Sequence, residues 1–147
     1  RDDLDINARG DLDINAKPQE QTAFHLACQR GNVEIARMLI SRDDLDIKVQ
    51  DEYGQTAFHE ACRENRVEIA QMMISRHDLD INDEDEDGQT AFHEACERGH
   101  IEIVQMISSR DDLDINTKDK FGRTAFHFAC ESHVEIAKML ISRDDLD

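Results

Sequence analysis

GQTAFHEACERGHIEIVQMISSRDDLDIN, residues Gly88 to Asn116, decides how the rest of the chain is read. Its central word, TAFH, begins at Thr22, Thr56, Thr90 and Thr124, each 34 residues after the last. A fixed period of roughly 20 to 50 residues marks stacked supersecondary units, so the 147 residues are read as one tandem array. The expected units run over about 18–50, 51–84, 85–118 and 119–147, after an irregular leading segment 1–17.

Within a unit, the threonine before AFHxAC can cap a short helix, and Phe24, Ala27 and Cys28 then share one face at spacings of three and four. A GN or GH turn leads into VEIARMLISR, a second helix with Val33, Ala36, Leu39 and Ile40 inward and Glu34 and Arg37 outward. The DDLDIN that follows reads as an extended stretch, and DEYG, DEDG and DKFG read as hairpin tips. Neither helix can bury its apolar face alone, so neighbouring units must stack. The pattern predicts an all-α repeat solenoid of helix-turn-helix units joined by β-hairpin-like loops.

Two irregularities interrupt the pattern. CESHVE in the fourth unit is one residue shorter than CERGHIE in the third and lacks its glycine, so its interhelix turn should be strained or rebuilt. At the front, Asn15 lies seven residues from Thr22, PQEQ lacks the hairpin glycine, and DLDINA is doubled between Asp2 and Lys17. An altered first tip is expected. RDDLD at both ends suggests a segment of a longer array with exposed core at its two ends.

The units resemble ankyrin repeats, whose TPLHxA signature stands here as TAFHxA, over essentially the whole chain. The period exceeds the family's usual length of about 33, and Ala23, Ala57, Ala91 and Ala125 replace the family's proline. The resemblance implies a non-enzymatic scaffold or adaptor that binds proteins through hairpin tips and the outward face of the first helices, which line a concave groove. It also implies a structural role for Thr22 with His25, Thr56 with His59, Thr90 with His93 and Thr124 with His127, each histidine tying a helix start to its threonine and a neighbouring backbone. Asn7, Asn15, Asn82 and Asn116 match family asparagines that bond across a turn and can be substrates of an asparaginyl hydroxylase. A turn asparagine has a sufficient local reason without that modification. Lys48 breaks this series, leaving the second such turn without the bond.

Seventeen basic against 34 acidic residues give a net charge of -17, which disfavours nucleic acid and anionic membrane surfaces as partners and favours a basic protein surface or a cation. No apolar run approaches the roughly 20 residues of a membrane span. Four cysteines at a small-residue core position fit a soluble intracellular, cytoplasmic protein with reduced thiols.

Two motifs compete with the repeat. DEDEDGQTAFHE, Asp83 to Glu94, satisfies the calcium-loop pattern, so calcium binding through Asp83, Asp85, Asp87 and Glu94 is the alternative function. The same frame reads VQDEYGQTAFHE from Val49 and TKDKFGRTAFHF from Thr117, which assigns the glycine and TAFH to the repeat instead. The HxxC pairs, His25 with Cys28 and its copies, offer two ligands each, at units roughly 10 Å apart, too few and too distant for structural zinc or disulfides. No cofactor and no catalysis are implied.

Positions that vary between units are free of the fold's demand and mark a partner surface. They are Glu52, Tyr53 and Gln55; Glu86, Asp87 and Gln89; and Lys120, Phe121 and Arg123 at the tips. Glu60, Glu94 and Phe128 after the histidine, with Arg63 and Glu97, complete the expected site. Tyr53 and Phe121 matter most, since aromatics are enriched at binding hot spots. The expected partner is a protein offering basic and apolar groups.

Overall fold

The computed structural model describes residues 13–147. Among these residues, eight α-helices form four antiparallel pairs: α1 (Ala23–Arg30) with α2 (Val33–Ile40), α3 (Ala57–Arg63) with α4 (Val67–Ile74), α5 (Ala91–Arg98) with α6 (Ile101–Ser108), and α7 (Ala125–Ser132) with α8 (Val134–Ile141). First helices pack on first helices and second helices on second helices, giving two parallel layers. Among the described residues there is no strand. The all-α repeat solenoid therefore holds, with the connecting loops built from turns.

Each first helix starts the same way. In the first pair, the Thr22 N–H donates to His25 Nδ1 at 3.3 Å and the His25 N–H donates to Thr22 Oγ1 at 3.1 Å, a closed box that satisfies two otherwise orphaned amides. Since Nδ1 accepts, Nε2 carries the proton and donates to the Gln55 carbonyl of the next unit at 2.9 Å. His59 and His93 repeat the arrangement toward the carbonyls of Gln89 and Arg123 at 3.1 and 3.2 Å. Phe24, Phe58 and Phe92 fill the space beneath, each at most 2% exposed, and truncating one to alanine is expected to cost about 3–5 kcal/mol.

The turn between paired helices needs a left-handed residue, supplied by Gly31 and Gly99 at φ 70° and 74° and by Asn65 at φ 59°. Glycine also admits a neighbour, because a Cβ on Gly99 would lie 2.6 Å from the His133 ring. The shortened fourth turn is rebuilt without a left-handed residue. His133 alone, at φ -121°, ends α7 and begins α8, and its Nε2 bonds the Glu97 carbonyl at 2.8 Å. His100 and Arg66 make the same reach to the carbonyls of Arg63 and Gln29, so this position is a recurrent strut between pairs.

The DDLDIN segment departs from the extended stretch expected of it. It makes two turns, and the leucine and isoleucine between polar neighbours are buried, as with Leu79 and Ile81. An arginine organises it. Arg76 grips Asp78 through Nε and Nη2 at 2.8 and 2.7 Å and donates through Nη1 to the Ile40 carbonyl at 3.1 Å, at the end of the preceding α2. Arg110 and Arg143 repeat the grip on Asp112 and Asp145, and reach the carbonyls of Ile74 and Ser108.

The asparagines likewise join neighbouring units rather than closing their own turn. Asn82 donates to the Asp112 carbonyl at 2.7 Å and accepts from the Asp114 N–H at 2.8 Å, and Asn15 and Asn116 do the same with the loops that follow them. Asn7 and most of the doubled tract lie outside the described residues. At the first tip, Pro18–Glu20 forms a 3-10 turn, and Glu20 takes φ 70° where the second tip has Gly54 at φ 77°.

Candidate functional site

Besides the altered first tip, three glycine tips among the described residues project from one edge of the array, and a buried or half-buried aspartate shapes each. Asp51 Oδ1 accepts from the Tyr53 and Gln55 amides, Asp85 Oδ1 from those of Asp87 and Gln89, and Asp119 Oδ1 from those of Phe121 and Arg123, all at 2.9 Å. The two residues before each glycine are thereby turned outward. Backbone bonds from Glu86 N to Tyr53 O and from Lys120 N to Asp87 O, at 3.0 and 2.9 Å, lock the three tips into one ridge.

Along that ridge Tyr53 is 56% exposed and Phe121 68%. Glu52, Glu86 and Lys120 are exposed beside them, and Asp87 is half-buried and paired with Lys120. Phe121 is backed by two cations, Lys120 Nζ at 5.4 Å and the Arg123 guanidinium at 5.1 Å from its ring centre, which hold the ring in place on the surface. Gln55 and Gln89 brace adjacent tips through Asp85 and Asp119, at 3.4 Å each.

Three residues expected on the open surface lie inside instead. Glu60, Glu94 and Phe128 are 2%, 6% and 4% exposed, because the position after the histidine faces the first helix of the preceding pair. Arg63 compensates both carboxylates: its guanidinium pairs with Glu60 and lies 3.8 Å from Glu94, while Gln55 Nε2 donates to Glu94 at 3.3 Å. Burial pushes the Glu94 carboxyl above its ordinary value against the pull of Arg63. Phe128 packs edge-on against the His93 ring at 5.9 Å and under the Arg123 guanidinium at 4.6 Å. The inner face beside the second and third tips is therefore a buried seam in which one guanidinium serves two carboxylates, and Glu97 remains as its exposed acid.

The calcium-loop frame is divided between two elements. Asp85 Oδ1 is committed to two backbone amides, Asp87 to Lys120, and Glu94 to the interior of α5 beside Arg63. Among the described residues no three His, Cys, Asp or Glu side chains group as a metal site requires. The cysteines split: burial pushes the Cys28, Cys62 and Cys96 thiols well above their ordinary value, whereas Cys130, expected in the core, is exposed on α7 because no described unit follows it. His127 is exposed for the same reason, although it keeps its bonds to the Thr124 amide and hydroxyl.

A family model described as ankyrin repeats, in three copies, matches residues 4–85 and 72–147. The chain belongs to the ankyrin-repeat family, whose members are typically non-enzymatic modules that bind other proteins. Comparison with curated proteins gave no match. Among the described residues no helix is long and apolar enough to cross a membrane.

Proposed function

We propose that the chain acts as a scaffold or adaptor that recognises a protein partner along its ridge of tips and the adjoining first-helix surface. The observation that carries this reading is the pair Tyr53 and Phe121, large aromatic rings held outward on tips that the fold has already made rigid. Such preorganised anchors lose little entropy on binding, and repeat stacking spaces them by roughly 20 Å, two units of about 10 Å. Glu52, Gln55, Glu86, Asp87, Gln89 and Glu97 give the surface between and beside them an acidic and amide character, with Arg63, Lys120 and Arg123 at its edges. A partner presenting basic side chains flanked by apolar ones complements it, and the acidic field speeds encounter in a salt-dependent way.

Quantitative capture from a cell lysate, comparing the parent with a Tyr53→Ala, Phe121→Ala double variant at low and moderate salt, tests the proposal. Both rings are exposed, so the double variant should melt within about 0.5 kcal/mol per site of the parent. A basic partner held by the parent and lost by the variant is expected. Capture that ignores the substitution would place the binding surface elsewhere, and a calcium requirement for capture would favour the loop 83–94 in its place.

A further inference from the structure

We infer that the array carries a hinge between its first and second units, and that the second, third and fourth units move as one block. The two later junctions are clasped at both edges. On the tip edge, the Glu86 N–H donates to the Tyr53 carbonyl at 3.0 Å and the Lys120 N–H to that of Asp87 at 2.9 Å, while Gln55 and Gln89 brace Asp85 and Asp119 at 3.4 Å. On the edge formed by the DDLDIN loops, Asn82 bonds the Asp112 carbonyl and the Asp114 N–H, and Asn116 bonds the Asp145 carbonyl and the Asp147 N–H. Neither edge is clasped in this way at the first junction.

One residue opens each edge. Gly54 and Gly88 let the following tip come close, since a Cβ on them would lie 2.8 Å from the Glu86 nitrogen and 3.1 Å from that of Lys120. Glu20 holds the same place in the first tip with the same left-handed backbone, at φ 70°, but carries a Cβ, so the second tip lacks the room that the later ones have. Accordingly the Glu52 N–H makes no bond to the first tip, and Gln21, standing where Gln55 and Gln89 do, makes none to Asp51. On the loop edge Lys48 takes the asparagine's place. An ammonium donates and cannot accept, so it cannot close on a carbonyl and an N–H together, and it bonds neither the Asp78 carbonyl nor the Asp80 N–H, the counterparts of those at Asp112 and Asp114. The helix layers and the bonds from His25, Arg66 and Arg76 continue across this junction, and Lys17 Nζ reaches the Gln50 carbonyl at 2.9 Å on a long, flexible stem. The two parts therefore stay joined along the helices while their edges are free to part. The junction is internal, with described helices on both sides, and its openness follows from two side chains. Tyr53, Asp87 and Phe121 all lie on the block of three, so the first pair can swing without disturbing their ridge.

Native-state hydrogen exchange on the whole chain, comparing the parent with variants that repair or copy the open edges, tests this. In the parent, amides of α1 and α2 should exchange through an opening that leaves those of α3 to α6 protected. Glu20 and Lys48 are both exposed, so replacing them disturbs no core packing. Lys48→Asn and Glu20→Gly should each slow the α1 and α2 amides at least about fivefold, the effect of one net hydrogen bond on an opening equilibrium, and leave α5 and α6 within about twofold of the parent. Asn82→Lys copies the open loop edge into the next junction and should quicken the α3 and α4 amides by about the same factor. Repairs that leave α1 and α2 exchange unchanged, alone and combined, would overturn the proposal. So would slowing that is uniform along the chain, or a parent in which amides of α1 to α6 all exchange through one common opening.

Discussion

Arg76 joins two units with one guanidinium, gripping Asp78 in its own loop and the Ile40 carbonyl at the end of α2. The side-chain bond from Arg76 holds Asp78 below the usual carboxylate range. Arg76→Ala should lower stability by about 1 kcal/mol, discounted for a partly exposed pair, and Arg76→Lys should recover little because an ammonium cannot make the planar grip. Urea unfolding of the two variants checks this; a lysine that restores full stability would show that only charge matters. Gly99→Ala should cost more, about 2 kcal/mol or above, since it combines a left-handed backbone with a 2.6 Å approach to His133. The arginine and its aspartate could have been found in the sequence, for Arg42, Arg76, Arg110 and Arg143 recur with an aspartate two residues on. The burial of Glu60, Glu94 and Phe128 could not. Variation between units does not always mean freedom from the fold, because a buried position also varies where a neighbour compensates, as Arg63 does for Glu60 and Glu94.

At the scale of the helices, the first turn of each TAFH helix is where sequence and structure agree most closely, because capping and three-four spacing are local. The tips and the eight helices follow from such local signals. The sequence also shows that the fourth interhelix turn is rebuilt, but not that the asparagines reach forward to the next loop or that His133 reaches back to the Glu97 carbonyl. Those depend on a register of stacking that no window of sequence contains. The histidines carry the same coupling into pH. Burial holds His59 and His93 below the ordinary imidazole value, opposed in part by their bonds to the carbonyls of Gln89 and Arg123. The unfolded chain therefore takes protons near pH 6.5 that the folded chain resists, and stability is complete above about pH 6.5 and falls as pH drops toward the folded values. Each ring contributes a slope of at most about 1.4 kcal/mol per pH unit. The raised Glu94 works the other way, favouring the fold as pH falls through its own range. Urea midpoints should decrease from pH 7 to pH 5.5, and His59→Ala, though less stable throughout, should show a shallower decrease. An equal slope in that variant would remove His59 from the account.

Across the whole molecule the dominant quantity is charge. Self-repulsion at a net charge of -17 destabilises an elongated array whose inter-unit bonds are short-ranged, and screening it should raise the urea midpoint between low and moderate salt. The partly exposed ion pairs lose strength under the same screening, but each contributes about 1 kcal/mol or less. A midpoint that falls with salt would mean that the pairs outweigh the repulsion. The same field draws a basic partner, and the rigid ridge gives that partner a place to dock. The most direct measurement is a backbone NMR footprint of the captured partner on the chain. The account predicts that amides of the three tips, around Glu52 and Tyr53, Glu86 and Asp87, and Lys120 and Phe121, shift on binding while the outer surface of α2, α4, α6 and α8 stays still. A footprint confined to those second helices, with the tips unmoved, would contradict it.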